Sequence, residues 1–220
     1  MIWNTSTILI LLAGIVAGYL LGSVNFAIIV TRLFGKGDIR QYGSGNAGMT
    51  NVLRSVGKSA AALTLLGDFS KGIVSVLFVR VLLACFTDVS STVIFDYFVA
   101  YAALLGHVFP LFYGFKGGKG VLVSAGAMLI LSPWSLVFCF SAFLILAFST
   151  RYVSVGSIAA GIMYPIANLI LTYLQYGHIV WLEVLLSVPI SLFVIWLHRS
   201  NIKRLMTHTE SKVSFKKKEN

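Results

Sequence analysis

Long apolar runs separated by short polar connections leave this chain few ways to fold. Runs near residues 5–31, 58–83, 93–113, 118–131, 134–149, 154–173 and 180–198 are apolar, and only the second holds more than one charged residue; a helix needs about 20 such residues to cross the hydrocarbon of a bilayer. No water is there to bond the backbone, so an apolar run must satisfy its own N–H and C=O groups by becoming a helix. Charged residues make up 11% of the 220, against about 25% in a soluble domain. The pattern predicts an all-α polytopic membrane protein built as a seven-helix bundle. Its fourth run, opened by Gly117-Gly118 and closed by Pro133, is short and is expected to cross part of the bilayer or to pack inside the bundle.

Lysine and arginine orient the bundle, because connections on the cytoplasmic side carry the excess of both. Fifteen of the 17 basic residues fall in alternate connections: Arg32 to Lys58, Lys116 and Lys119, Arg151, and Arg199 onward. The other two, Lys71 and Arg80, lie within the second run. This places the N-terminus outside and the C-terminus in the cytoplasm. The first run is longer than a signal-peptide core and no basic segment precedes it, so it reads as a retained span. Residues 1–212 are expected to form one integral-membrane domain and 213–220 a basic cytoplasmic tail, with Lys216-Lys217-Lys218 facing solvent or lipid headgroups. Cys85 and Cys139 have no paired spacing and read as packing residues.

Polar residues gather in four clusters, all on the predicted cytoplasmic side. The first holds Ser44, Asn46, Asn51 and Arg54 among Gly43, Gly45 and Gly48; the second is Lys116-Gly117-Gly118-Lys119-Gly120; the third is Thr150-Arg151-Tyr152-Val153-Ser154; the fourth is His198-Arg199-Ser200-Asn201. Cations, amides, hydroxyls and glycines without carboxylates suit an anion, and a phosphate above all. If Thr50 caps a short helix, the free N–H groups of that helix add to the positive potential. Gly117 to Gly120 precede an apolar helix, so backbone amides and an ammonium can meet at its start. His198 and Asn201, three residues apart, share a helix face. Asp68 and Lys71, also three apart, stand inside the second run, where an ionised group costs about 2.5–3.5 kcal/mol. They must face the bundle, either as a packing ion pair or with Lys71 lending charge to the anion site.

Missing motifs narrow the chemistry. The second cluster lacks the spacing of a nucleotide-binding P-loop. No His-x4-Asp, nucleophile elbow or group of aspartates for a divalent metal occurs, so neither metal nor cofactor is expected. A transporter for organic phosphates would also want buried cations and glycines, but no paired broken helices in two related halves are seen. Nothing points to nucleic acid.

Together, Ser44-Gly45-Asn46-Ala47-Gly48-Met49-Thr50-Asn51 with Arg54, Gly106-His107 with Pro110 and Phe115 to Gly120, Arg151-Tyr152-Val153-Ser154, and His198 to Ile202 with Arg204-Leu205 and Glu210 resemble the bacterial acyl-phosphate:glycerol-3-phosphate acyltransferase family. The resemblance runs from about Gly22 to Lys212. It implies a seven-helix inner-membrane enzyme, its active site facing the cytoplasm, that moves a fatty acyl chain from acyl phosphate to the 1-hydroxyl of glycerol 3-phosphate. The products would be lysophosphatidate and inorganic phosphate, in the first step of phospholipid synthesis. By the same resemblance Ser44, Arg54, His198 and Asn201 are catalytic, Lys116 to Gly120 form the glycerol-phosphate loop, and Glu210 maintains the structure. Asn46, Asn51, Lys71, Thr150, Arg151 and Ser154 complete the expected phosphate contacts. A handover with enzymes that make acyl phosphate or acylate lysophosphatidate would follow.

Overall fold

The computed structural model describes residues 4–89 and 91–212, which form helices, turns and connections without a strand among them. Ten α-helices follow one another: α1 Thr5–Ser23, α2 Phe26–Leu33, α3 Met49–Ser55, α4 Lys58–Phe86, α5 Val93–Val108, α6 Val121–Leu131, α7 Pro133–Thr150, α8 Val153–Tyr176, α9 Trp181–Leu197 and α10 Arg199–Met206. Five segments are long and apolar enough to cross a membrane, counting α1 with α2 as one, and the bent pair of α9 and α10 makes a sixth. Each of the seven apolar runs is helical. The fourth, α6, has 11 residues and at 1.5 Å per residue reaches about 16 Å, half of a hydrocarbon core of about 30 Å.

The chain forms two compact units, residues 1–133 and 134–220. In the first, α4 packs on α1, α5 and α6, and α1 packs on α5. Glycines make both closest crossings. A Cβ on Gly72 of α4 would meet the Val123 carbonyl of α6, and one on Gly126 of α6 would meet the Phe69 carbonyl of α4. Gly22 of α1 and Gly106 of α5 stand in the same reciprocal relation, against Ala103 and Tyr19. Without a hydrophobic force between helices in lipid, such backbone contact supplies the packing that joins them.

A break interrupts the first span, which the sequence pattern left continuous. Val24 takes an extended conformation, and Asn25 caps α2 by accepting the Ile28 N–H on its Oδ1 at 3.1 Å. Asp68 and Lys71 form the expected pair, 2.9 Å apart and buried. A second pair lies farther along α4, where Arg80 bonds Asp96 at 2.8 Å and the Ile130 carbonyl at 3.1 Å. Thr92 donates to the same Asp96 oxygen at 2.8 Å.

In the second unit α8 packs on α9. Gly156 of α8 lets the helix lie against Phe143 and Ala147 of α7, and Asn168 of α8 bonds Ser135 and the Glu183 carbonyl. Cys139 is buried, as packing requires, whereas Cys85 is exposed. The expected basic tail, 213–220, lies outside the described residues.

Candidate active site

Apolar pegs shape the loop between α2 and α3 from below. Ile39, Ala47 and Val52 are buried with Ala27, Ile28 and Val30 of α2 and with Ala60 and Ala61 of α4. Ser44, between these pegs, and Arg54, just beyond them, are exposed. Asn51 organises the turn from inside. Its Nδ2 donates to the carbonyls of Ile39, Tyr42 and Asn46 at 3.2, 2.9 and 3.1 Å, and its Oδ1 accepts the Ser44 N–H at 3.0 Å. Gly43, at φ 56°, touches this amide, and a Cβ there would overlap it. The helix that follows begins at Met49 with Gly48 at its cap. Thr50, the conditional cap, lies inside the first turn.

Arg40 joins this loop to the next. Asp38 accepts the Arg40 guanidinium at 2.7 Å and has Arg32 at 3.9 Å. The Arg40 hydrogen bond, aided by the charges of Arg40 and Arg32, holds the Asp38 carboxyl below its usual range despite partial burial. From its other nitrogen Arg40 donates to the carbonyls of Tyr113 and Lys116 at 2.7 and 3.0 Å. One guanidinium thus neutralises the acid of the first loop and fastens the second. Sequence reasoning counted Arg40 only toward orientation, although the Asp38-x-Arg40 spacing was there to be seen.

The second loop folds back on the end of α5. Gly117 and Gly118 donate their N–H groups to the carbonyls of Val108 and His107 at 3.0 and 3.2 Å. A Cβ on Gly117 would collide with the His107 carbonyl, and one on Gly118 with the His107 ring and the Ala47 carbonyl. Close approach therefore demands glycine at both positions. These two amides, expected to cradle an anion, close the loop onto α5 instead. Phe115 is left-handed at φ 58°, and Gly120 caps α6 at φ 74°. Lys116 is exposed and Lys119 half-buried.

Between α7 and α8, Arg151 takes φ 63° and exposes its side chain. A left-handed arginine costs on the order of 1–3 kcal/mol, so its neighbours must impose it. Thr150 contributes, because its Oγ1 accepts the Tyr152 N–H at 3.2 Å.

Glu210 is the hub of the second unit. Its Oε1 accepts Ser154 Oγ at 2.8 Å and Asn201 Nδ2 at 2.7 Å, and its Oε2 accepts Arg204 Nε at 2.6 Å. Burial pushes this carboxyl up, but the hydrogen bonds from Asn201, Arg204 and Ser154, with the Arg204 charge, outweigh it and hold Glu210 below its usual value. His198 stands at the 50° bend between α9 and α10. Its Nδ1–H donates to the Val194 carbonyl at 2.8 Å, so the neutral ring carries its lone pair on Nε2. His198 and Asn201, expected to present one face, are both buried beside this bend. Asn51, Lys71, Ser154 and Asn201 all direct polar atoms to protein partners, a commitment that spacing along the chain does not reveal.

The family model described as glycerol-3-phosphate acyltransferase matches residues 12–208. A glycerol-3-phosphate acyltransferase of Neisseria meningitidis serogroup C is 43% identical over 202 residues, covering 92% of this chain and 96% of the relative. One from Paraburkholderia phytofirmans is 44% identical over 204 residues, covering 92% and 91%. Among solved structures, PlsY (YgiH), an integral membrane glycerol 3-phosphate acyltransferase in its glycerol 3-phosphate form, superposes with a TM-score of 0.78 at 35% identity, covering 93% of this chain and 96% of that one. Its lysophosphatidic acid form gives 0.76 at 33%. The likeness therefore extends along nearly the whole length, and the chain belongs to the glycerol-3-phosphate acyltransferase family.

Proposed function

We propose that this protein transfers a fatty acyl group from acyl phosphate to the 1-hydroxyl of glycerol 3-phosphate, releasing lysophosphatidate and inorganic phosphate at the cytoplasmic face of a bacterial inner membrane. The observation that carries the reading is the family match over residues 12–208, which contains all four polar clusters. Support for glycerol 3-phosphate as acceptor comes from the relatives that bear its name and from the PlsY structure in its glycerol 3-phosphate form. Support for acyl phosphate comes from the clusters themselves, which offer cations and hydrogen-bond donors. The one acid in the first loop, Asp38, is already bound by arginine. Seven helical segments with basic residues on alternate connections support an outside N-terminus and a cytoplasmic C-terminus.

Acyl phosphate is an activated mixed anhydride, so the protein has to orient the reactants and offset the repulsion of two phosphates. The 1-hydroxyl oxygen attacks the acyl carbonyl, the bond from that carbon to the phosphate oxygen breaks, and the hydroxyl proton passes to a phosphate oxygen of either substrate. Ser44, Arg54, Lys116 and Lys119 are each assigned a phosphate contact, and the family resemblance assigns phosphate contacts to Thr150 and Arg151 and a catalytic role to His198. Asn46 joins them through the loop it shares with Ser44. Asn51 shapes that loop, and Asn201 with Ser154 anchors Glu210.

Purified protein supplied with radiolabelled glycerol 3-phosphate and either palmitoyl phosphate or palmitoyl-CoA tests the reading. Lysophosphatidate and phosphate are expected in equal amounts from palmitoyl phosphate alone. Product from palmitoyl-CoA alone would overturn the donor. Neither product, with glycerol 3-phosphate uptake into vesicles, would make the protein a carrier.

A further inference from the structure

Beneath the two loops of the first unit lies a chain of buried polar groups to which the proposed reaction gives no task. Asp68 and Lys71 stand on α4 and His107 on the last turn of α5, all three almost wholly buried. Lys71 Nζ lies 2.9 Å from the Gly22 carbonyl, 2.8 Å from the Val24 carbonyl and 2.9 Å from His107 Nδ1. With Asp68, four acceptors surround the three hydrogens of the ammonium. Asp68 Oδ1, 2.9 Å from Nζ and 3.6 Å from His107 Nδ1, is the counter-charge. An ammonium has no lone pair, so Nδ1 of His107 must accept, and the proton of the neutral ring sits on Nε2.

That second nitrogen is aimed at the loops. A Cβ built on Gly118 would collide with both His107 Nε2 and the Ala47 carbonyl, so ring, first loop and second loop converge at one point. The other end of the chain is anchored where α1 breaks. Lys71 bonds the carbonyls that α1 leaves open at its C-terminus, and Asp68 accepts the backbone N–H of Phe26 at the start of α2. A cation at the end of one helix and an anion at the start of the next both match the helix dipoles.

We propose that His107 is a positioning residue that sets the spacing between the Ser44–Gly48 and Lys116–Gly120 loops, and that Lys71, fixed by Asp68 and the broken α1, imposes the Nε2–H tautomer with which it does so. This rests on reading Lys116 to Gly120 as the glycerol 3-phosphate loop. A displacement of about 1 Å in such a loop is worth up to about 100-fold in rate or binding.

Full-length protein in detergent, labelled with 15N-histidine, provides two independent readouts: the His107 tautomer by NMR, and KM against kcat for glycerol 3-phosphate with palmitoyl phosphate. His107→Asn keeps an acceptor where Nδ1 was and removes the group that reaches Gly118; its missing signal also assigns His107. Lys71→Met removes the ammonium at nearly constant length. The wild type is expected to show Nε2–H, and Lys71→Met to show both tautomers. Both variants should raise KM for glycerol 3-phosphate about 10-fold or more with a smaller change in kcat, and His107→Gln, whose amide nitrogen can reach the Nε2 position, should recover part of the loss. An Nδ1–H tautomer in the wild type, an unchanged KM in His107→Asn, or a loss confined to kcat would each overturn the proposal. Where Lys71→Met fails to fold, His107→Asn decides. A wild type that forms no lysophosphatidate would sink the functional reading separately, leaving the tautomer to decide the link from Lys71 to His107.

Discussion

Arg54 stands exposed in the last turn of α3, where a planar guanidinium offers a phosphate two parallel hydrogen bonds that the point charge of a lysine cannot reproduce. Arg54→Lys is expected to lower kcat/KM about 10- to 100-fold, the value of a charge-assisted bond of about 1.5–3 kcal/mol. Steady-state kinetics on protein of matched thermal stability checks this. Glu210 yields a prediction in pH. Its folded carboxyl titrates below its unfolded value of about 4.3, so its contribution to stability is present above that value and is lost as pH falls through the folded pKa. Thermal unfolding from pH 7 to about pH 3 should show the wild type losing more on acidification than Glu210→Gln, with the variant melting lower at pH 7. Residue types at both positions were legible in the sequence, but partners were not. Ser154, Asn201 and Glu210 meet across 56 positions of chain, and Lys71 meets His107 across 36. Helical spacing reports only neighbours three or four residues away.

Among the elements, the two loops and the helix crossings make separate predictions. Gly118→Ala would push the second loop from His107 and Ala47, raising KM for glycerol 3-phosphate more than it lowers kcat in the acyl phosphate assay. Gly72→Val would drive α4 from α6 at their backbone contact. Overpacking of that kind costs about 1–3 kcal/mol, to be read as a lower melting temperature in detergent. Helix ends were legible because they follow local composition: Pro133 opens α7, and Gly120 opens α6. The break at Val24-Asn25 was not, since a single asparagine in an apolar run acts as a cap only when other groups take the carbonyls it leaves behind. Those groups belong to α4. Similarly, the glycines of the second loop pointed to close backbone approach, and the approaching backbone turned out to be that of α5.

For the molecule as a whole, the charge asymmetry makes orientation testable through Cys85. At 1.5 Å per residue, the 29 residues of α4 extend about 43 Å, beyond the hydrocarbon at one or both ends. Cys85 is exposed at its C-terminal end, whereas Cys139 is buried. A membrane-impermeant maleimide added to intact cells is expected to label Cys85, and a cysteine placed at Lys203 should react only after the cells are opened. The reverse pattern would invert the topology. The pair on α4 also bears on how such a chain is made. Asp68 and Lys71 emerge from the ribosome within one turn of each other, so the nascent helix can enter the bilayer with its charges already matched, while the acceptors on α1 precede them and His107 arrives later with α5. Before α5 docks, the Lys71 ammonium already has Asp68 and the carbonyls of Gly22 and Val24 for its three hydrogens. Insertion of α4 therefore need not await α5, and the His107 imidazole joins a charge pair already formed.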